Sequence, residues 1–297
     1  MYNSLVGIVI VTYNRLQLLK EVVGSIREQT YRDFNIIVVN NGSTDDTLDW
    51  LNEQQDIITI TQANLGGAGG FYTGMKYVAE RHYDFCWVMD DDVITSPTAL
   101  SELLSAYGKS DNIGFVCSKV IGLQGQPMNT PVVDTRCVDG NYPYYYDLID
   151  YNMIRVVNAT FVSVLFPVRV IREVGLPYKE YFIWGDDSEY TTRVSYKRIC
   201  YLACNSVVTH KRADQKMLDF NTETDKNRLK NFFYHYRNSG YNTLLWEGFH
   251  NKRSLITGYL RTSLRYFRKL DFIRAKIVYK AAIALIKFSP SIDFPQK

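Results

Sequence analysis

An apolar run covers Leu5 to Val11 in "LVGIVIVTYN" and recurs in "FNIIVVNNG", the pattern of strands covered on both faces. Between the two, Leu16, Leu19, Val23 and Ile26 return at helical spacing, which predicts a strand-helix-strand unit. The alternation continues. Ser43 or Thr44 is placed to cap a helix through Leu48 and Leu51, and "DIITITQ" reads as a third strand. "NLGGAGGF" reads as a glycine-rich loop opening a helix near Tyr72 to Arg81, and "YDFCWVMD" as a fourth strand. This order predicts an α/β fold with a mostly parallel sheet flanked by helices. Such sheets bind ligands at the carboxyl ends of their strands, where "TYN", "NNGSTD" and "DDD" fall.

Beyond Asp92 the periodicity loosens. A helix is expected from Pro97 to about Tyr107, a strand at "NIGFVCSKVIG", and a turn-rich stretch over 122–155 holding the tyrosines of "NYPYYYD". "VVNATFVSVLFP" reads as one strand and "RVIREVG" as a short helix ended by Gly175. "EYFIWGDDSEY" enters a helix with acids in its first turn, and "ICYLACNSVVTH" is a last strand closing on His210. From about residue 226 the pattern is helical. Lys276, Lys280 and Lys287 share a ~40° sector of an ideal helix, with Ile277, Ala281, Leu285 and Phe288 on another side.

Composition sharpens the division. With 297 residues, 46% hydrophobic, the chain can bury a sizeable core. Its net charge of +3 is unevenly spread: residues 211–297 hold 18 Lys/Arg against 7 Asp/Glu, and residues 1–210 hold 16 against 24. Two regions with different surroundings, 1–211 and a basic helical region over 212–297, are therefore expected. The five cysteines are scattered without a CxxC, which suits reduced packing residues. The amino terminus lacks a basic n-region, and its apolar run is too short for a signal peptide or membrane span. A cytoplasmic protein is expected, with no nucleic-acid partner.

"CWVMDDD" carries the chemistry. Adjacent carboxylates repel one another, and a divalent cation with a preference for hard oxygen ligands relieves that repulsion. Strand alternation puts Asp90 and Asp92 on one face.

Taken in order, "VTYNR", "VVNNGSTD", "NLGGAGG", "WVMDDD", "GDDSEY" and "THK" resemble the glycosyltransferase family 2 enzymes of the GT-A fold, over about residues 5–211. "NLGGAGGF", "WVMDDD", "IWGDDSEY" and "YHYRN" most resemble bacterial galactofuranosyltransferases, with rhamnosyltransferases close behind. The resemblance implies an inverting transfer from a UDP-sugar, with galactofuranose the leading donor sugar and dTDP-rhamnose the alternative donor. The acceptor would be a polysaccharide or lipid-linked oligosaccharide. Thr12, Tyr13, Arg15 and Asn40 would bind the nucleotide, and Asn64 and Gly67 would lie near the diphosphate or transferred sugar. Asp91 would face the sugar nucleotide. Asp90, Asp92 and His210 would ligate Mn²⁺ or Mg²⁺, Asp187 would be the general base, and Trp184 and Asp186 would meet the acceptor.

One departure stands out: the family usually has Asp where this chain has Asn40, whose carbonyl can accept from uracil but without charge assistance. A catalytically silent carbohydrate-binding or scaffolding protein is the alternative of another class, disfavoured by the intact acidic set. A nucleotidyltransferase should show a glycine-rich Arg/Lys loop, which "VTYNRLQLLK" is not. Arg237 in "YHYRN" is read either as a phosphate ligand or as part of a solvated helix face, and tyrosines 142–146 as sugar-stacking or packing rings. His82, His235 and His250 are read as structural. An anionic membrane surface is the expected partner of residues 251–288, and assembly into a homo-oligomer stays open.

Overall fold

A computed structural model describes residues 4–137, 140–212 and 218–296. The chain falls into two compact units, one of Met1–Lys179, Asp187–Gln215 and Ile292–Lys297, the other of Glu180–Asp186 and Lys216–Ser291.

The first unit is built on β1 (Val6–Thr12), β2 (Phe34–Asn40), β3 (Ile57–Thr61) and β4 (Phe85–Asp90), parallel to one another in the order β3-β2-β1-β4. Helices α1 (Leu16–Arg27), α2 (Thr47–Asn52) and α3 (Gly66–Ala79) connect them. Alternate side chains of β1 enter opposite cores: Ile8 and Ile10 pack in the cluster that holds Leu19, Val22 and Ile26 of α1, Val9 in the one that holds Met75 and Val78 of α3. Burial on both faces is why the strand sequences are uninterrupted apolar runs.

Helix α3 starts at Gly66 rather than near Tyr72, so the glycine-rich stretch forms its first turns. Glycine is a poor helix former, by about 1 kcal/mol against alanine. Close packing is the compensation here. A Cβ on Gly70 would sit 2.3 Å from Val11 Cγ1, and one on Gly74 2.2 Å from Val9 Cγ1. Helix α2 likewise begins after Asp46, not at Ser43 or Thr44. Those two residues bond to Asn14 instead: Ser43 Oγ accepts the Asn14 N–H at 3.0 Å, and the Thr44 N–H donates to Asn14 Oδ1 at 2.7 Å.

The remaining elements of this unit are β5 (Val93–Thr95), α4 (Ala99–Ala106), β6 (Ile113–Ile121), β7 (Val132–Val133), β8 (Met153–Asn158), β9 (Val164–Pro167), α5 (Val168–Val174), α6 (Asp186–Ser195, entered from the other unit at Asp186) and β10 (Ile199–His210). The sheet is mixed. β9 inserts antiparallel between β4 and β6, and β10 runs parallel to β6 but antiparallel to β5 and β8. "VVNATFVSVLFP" thus divides into β8 and β9. The chain leaves the sheet at Ala159, whose N–H donates to Thr191 Oγ1 of α6 at 3.1 Å.

In the second unit, α7 (Lys226–Glu247), α8 (Lys252–Arg268) and α9 (Phe272–Lys287) follow one another. Ile277, Val278, Ala281, Ala282 and Leu285 form the buried face of α9. Asn238 of α7 is fully buried and donates to the carbonyls of Tyr181, Ile183 and Trp184 at 2.9, 3.1 and 2.7 Å. Arg237 donates to the Glu180 and Tyr181 carbonyls at 2.7 and 3.2 Å, so "YHYRN" clamps a loop rather than presenting a solvated face. That loop needs a clamp, because Phe182 and Trp184 hold φ values of 66° and 63° that cost non-glycine residues free energy. Among the described residues, no helix is long and apolar enough to cross a membrane.

Candidate active site

Strand pairing assembles the acidic cluster. Val11 of β1 lies opposite Asp90 at the end of β4, and His210 at the end of β10 lies opposite Val93 at the start of β5. Asp91 and Asp92 occupy the turn between β4 and β5, so the short antiparallel strand brings Asp92 to His210. The ligand atoms of Asp90, Asp92 and His210 all lie within 4.8 Å of one another.

Their electrostatics suit a missing positive charge. Asp90 is half-buried; desolvation, followed by the charges of Asp92, Asp91 and Asp187, pushes its carboxyl up to about 8 against the pull of His210. Burial also pushes Asp92 upward, but His210 and Arg15 outweigh it and hold that carboxyl below the usual range. Burial opposes protonation of His210, yet Asp92 and Asp90 outweigh it and raise the imidazole. His210 Nε2 is 3.0 Å from Asp92 Oδ1, and that buried oxygen receives no aligned hydrogen bond. Two carboxylates and an imidazole, with one carboxylate oxygen left over, fit a divalent cation such as Mn²⁺ or Mg²⁺.

Residues 7–174, more than half of the chain, match the family model described as "Glycosyl transferase family 2". The chain belongs to that family. It is 26% identical over 178 residues to "Uncharacterized glycosyltransferase RP339" of Rickettsia prowazekii (strain Madrid E), covering 59% of this chain and 54% of that protein. It therefore spans about half the length of that relative. With "Galactofuranosyltransferase GlfT1" of Mycolicibacterium smegmatis it shares 23% identity over 253 residues, 81% of this chain and 83% of the relative. The crystal structure of GalNAc-T7 with UDP, GalNAc and Mn²⁺ superposes with a TM-score of 0.60 at 14% identity, over 96% of this chain and 57% of that one. That likeness concerns the fold, which is GT-A. GT-A glycosyltransferases use sugar-nucleotide donors and typically a divalent metal.

Further polar groups surround the cluster. Thr12 Oγ1 donates to Asp91 Oδ2 at 2.7 Å, and Arg15 Nη1 lies 3.0 Å from Asp91 Oδ1 and 3.1 Å from Asp92 Oδ2. Asp91 is buried and tied on both oxygens, while the Arg15 side chain stays 51% exposed and open to a ligand. Tyr13 is exposed beside them. Asp187 stands in the first turn of α6, where Thr191 Oγ1 donates to its carbonyl at 2.7 Å. Its charge is one of those acting on Asp90.

On the glycine-rich side, Asn64 Oδ1 accepts the Gly66 N–H at 2.9 Å, and a Cβ on Gly67 would meet only open space. Asn40 differs from expectation. It is fully buried, and its Oδ1 accepts the Ser43 N–H at 3.0 Å, so as it stands it holds the turn after β2 rather than presenting itself to a base. Its neighbour Asn41 was not anticipated from sequence. Asn41 Oδ1 accepts from Gln62 Nε2 and the Leu65 N–H at 2.9 and 3.1 Å, and its Nδ2 donates to the Gly66 carbonyl at 2.9 Å. Asn41 thus fixes the entrance to α3. Trp184 and Asp186 belong to the second unit, where the Trp184 ring meets Phe232 edge-on at 5.3 Å and Asp186 is buried.

Asn129 is a second residue missed in the sequence. Its Oδ1 lies 2.9 Å from His210 Nδ1, an acceptor that keeps a proton on Nδ1 and turns Nε2 toward the carboxylates. The sole sequence trace is an Asn in a turn-rich stretch, a residue tolerant of the φ of 44° it adopts. Asn129→Ala is expected to weaken Mn²⁺ binding by about 10–100-fold, as loss of the group orienting a ligating histidine does. Calorimetric titration with Mn²⁺ alone measures this, and unchanged affinity would deny Asn129 the role.

Proposed function

We propose that this enzyme transfers galactofuranose from UDP-galactofuranose, with inversion, to a hydroxyl of a polysaccharide or lipid-linked oligosaccharide in the cytoplasm, using residues 1–211 as the catalytic domain. The observation that carries the reading is the convergence of Asp90, Asp92 and His210 with Asp187 acting electrostatically on the same cluster. Likeness to GlfT1 across 81% of the chain supports galactofuranose as the sugar.

In this reading Asp187 accepts the proton of the acceptor hydroxyl as its oxygen attacks the anomeric carbon. The bond from that carbon to the diphosphate oxygen breaks, and the electron pair leaves with the nucleoside diphosphate. Attack opposite the leaving group inverts the configuration. Asp90, Asp92 and His210 would hold a divalent cation, which when bound would supply charge neutralisation for the departing diphosphate. Arg15, half-exposed beside Asp91 and Asp92, adds a cationic donor for the nucleotide, and Tyr13 offers an exposed ring. Asn64 and Gly67 border the diphosphate or the sugar, Asp91 and Thr12 hold Arg15 in place, and Trp184 and Asp186 meet the acceptor.

A donor panel tests the assignment. Release of nucleoside diphosphate should be far faster from UDP-galactofuranose than from UDP-galactopyranose or dTDP-rhamnose. A clear preference for dTDP-rhamnose would replace the sugar and leave the family membership standing.

A further inference from the structure

The exposed surface of α8 and the turn into α9 is unusual for helices in water. Leu260, Leu264 and Phe267 follow one another at helical spacing on α8 with exposures of 38, 47 and 56%. The stripe runs on into Leu270, Phe272 and Ile273, exposed by 75, 55 and 57%. The Phe267 and Phe272 rings stand 5.4 Å apart, and Leu270 caps the turn in a left-handed conformation with φ 62°. None of these side chains belongs to the buried cluster of Phe220, Leu229, Phe232, Ile277 and Val278. The buried face of α9 holds Ile277, Ala281 and Leu285.

Cations border this apolar tip. Arg261, Arg265, Arg268 and Lys269 line, with Leu264, a depression of about 420 Å³. Across residues 252–287 there are ten basic residues and one acidic. The single acid, Asp271, is bound to Arg274 at 2.8 Å, so nothing of opposite sign in this stretch is left to answer the four cations.

We propose that the α8–α9 turn docks on an anionic lipid bilayer, with Phe267, Leu270, Phe272 and Ile273 entering the headgroup-acyl boundary and Arg261, Arg265, Arg268 and Lys269 meeting lipid phosphates. Apolar groups flanked by basic ones are what an interfacial helix needs, since burial and attraction to anionic lipid add. A second copy of the chain fits worse, because a two-fold interface would set the same cations against one another. A neutral glycan would leave those charges unanswered. The lipid contact then lies at the turn, within the 251–288 stretch expected from sequence to meet an anionic membrane, and is independent of the donor sugar.

Co-sedimentation of the full chain with phosphatidylcholine vesicles, with and without phosphatidylglycerol, provides the test. Binding is expected only with phosphatidylglycerol, with release as salt screens the charges. Combining Arg265→Gln, Arg268→Gln and Lys269→Gln should lower the partition coefficient on the order of 100-fold, at about fivefold per charge. Leu270→Ser with Phe272→Ser should lower it about tenfold or more with every charge retained. Both variants change exposed side chains, and circular dichroism checks that they remain folded. Three outcomes overturn the proposal. One is wild-type protein left in the supernatant at low salt. Another is tip variants that bind as wild type while Lys276→Gln, Lys280→Gln and Lys287→Gln together abolish binding. The third is a concentration-dependent dimer, seen by light scattering, that the tip substitutions dissolve.

Discussion

Asp187→Asn is expected to cut turnover by about 10²–10⁴-fold while donor affinity stays nearly constant. The substitution keeps the shape of the side chain and removes its capacity to take a proton. A group used only as the acceptor hydroxyl loses its proton contributes to the transition state and little to donor binding. Structural damage should be small, because the Thr191 hydroxyl bonds the main-chain carbonyl of Asp187 and is untouched by the change. Single-turnover rates and a separate donor-binding titration distinguish the two roles. A loss of donor affinity equal to the loss of rate would make Asp187 a binding residue and leave the base to be found elsewhere.

Asp92→Asn should abolish measurable transfer, and Mn²⁺ should raise the melting temperature of the wild type but not of this variant. Asp92 is the carboxylate shared by His210 and Arg15, so its charge organises both the metal site and the cationic donor beside it. Full activity in the variant, or in wild type with excess chelator, would remove the metal from the reaction. The same cluster predicts a pH effect on stability. Folded Asp90 keeps its proton up to about 8, whereas an unfolded aspartate has lost it at ~4. The folded state thus binds more protons over that window, and stability of the metal-free protein falls as pH rises through it. His210, whose imidazole is also raised, contributes with the same sign as pH rises through its folded value. Added Mn²⁺ should flatten the decline by favouring the ionised carboxylate and the neutral imidazole. Melting curves across this range, with and without Mn²⁺, measure it.

The parallel half of the sheet and the placement of the acidic motifs were legible because they rest on local rules. Runs such as Val6–Thr12 and Phe34–Asn40 state burial on both faces by themselves, and alternation along β4 states the side on which Asp90 lies. What failed locally failed for one reason: the deciding partner lies far along the chain. α3 begins at Gly66 because Val9 and Val11 of β1 lie close beneath Gly74 and Gly70, and no property of "NLGGAGG" alone reveals that distance. α2 starts late because Asn14 takes Ser43 and Thr44.

Hydrophobic periodicity alone was enough to dictate an α/β sheet with carboxylates at its strand ends and a basic helical segment after it. Which of these groups meet is settled by the packing of the folded chain. β9 enters antiparallel, β5 pairs with β10 to bring His210 to Asp92, and Asn129 orients the imidazole from a turn with no periodicity to announce it. Asn40 is turned inward to hold Ser43, and the apolar face of α9 is spent on packing while Leu270 and its neighbours stay in water. Periodicity records how each element meets a core, a property of neighbours in sequence. Hydrogen bonds, charge pairs and leftover surface depend on side chains that meet only once the sheet and the helices have closed.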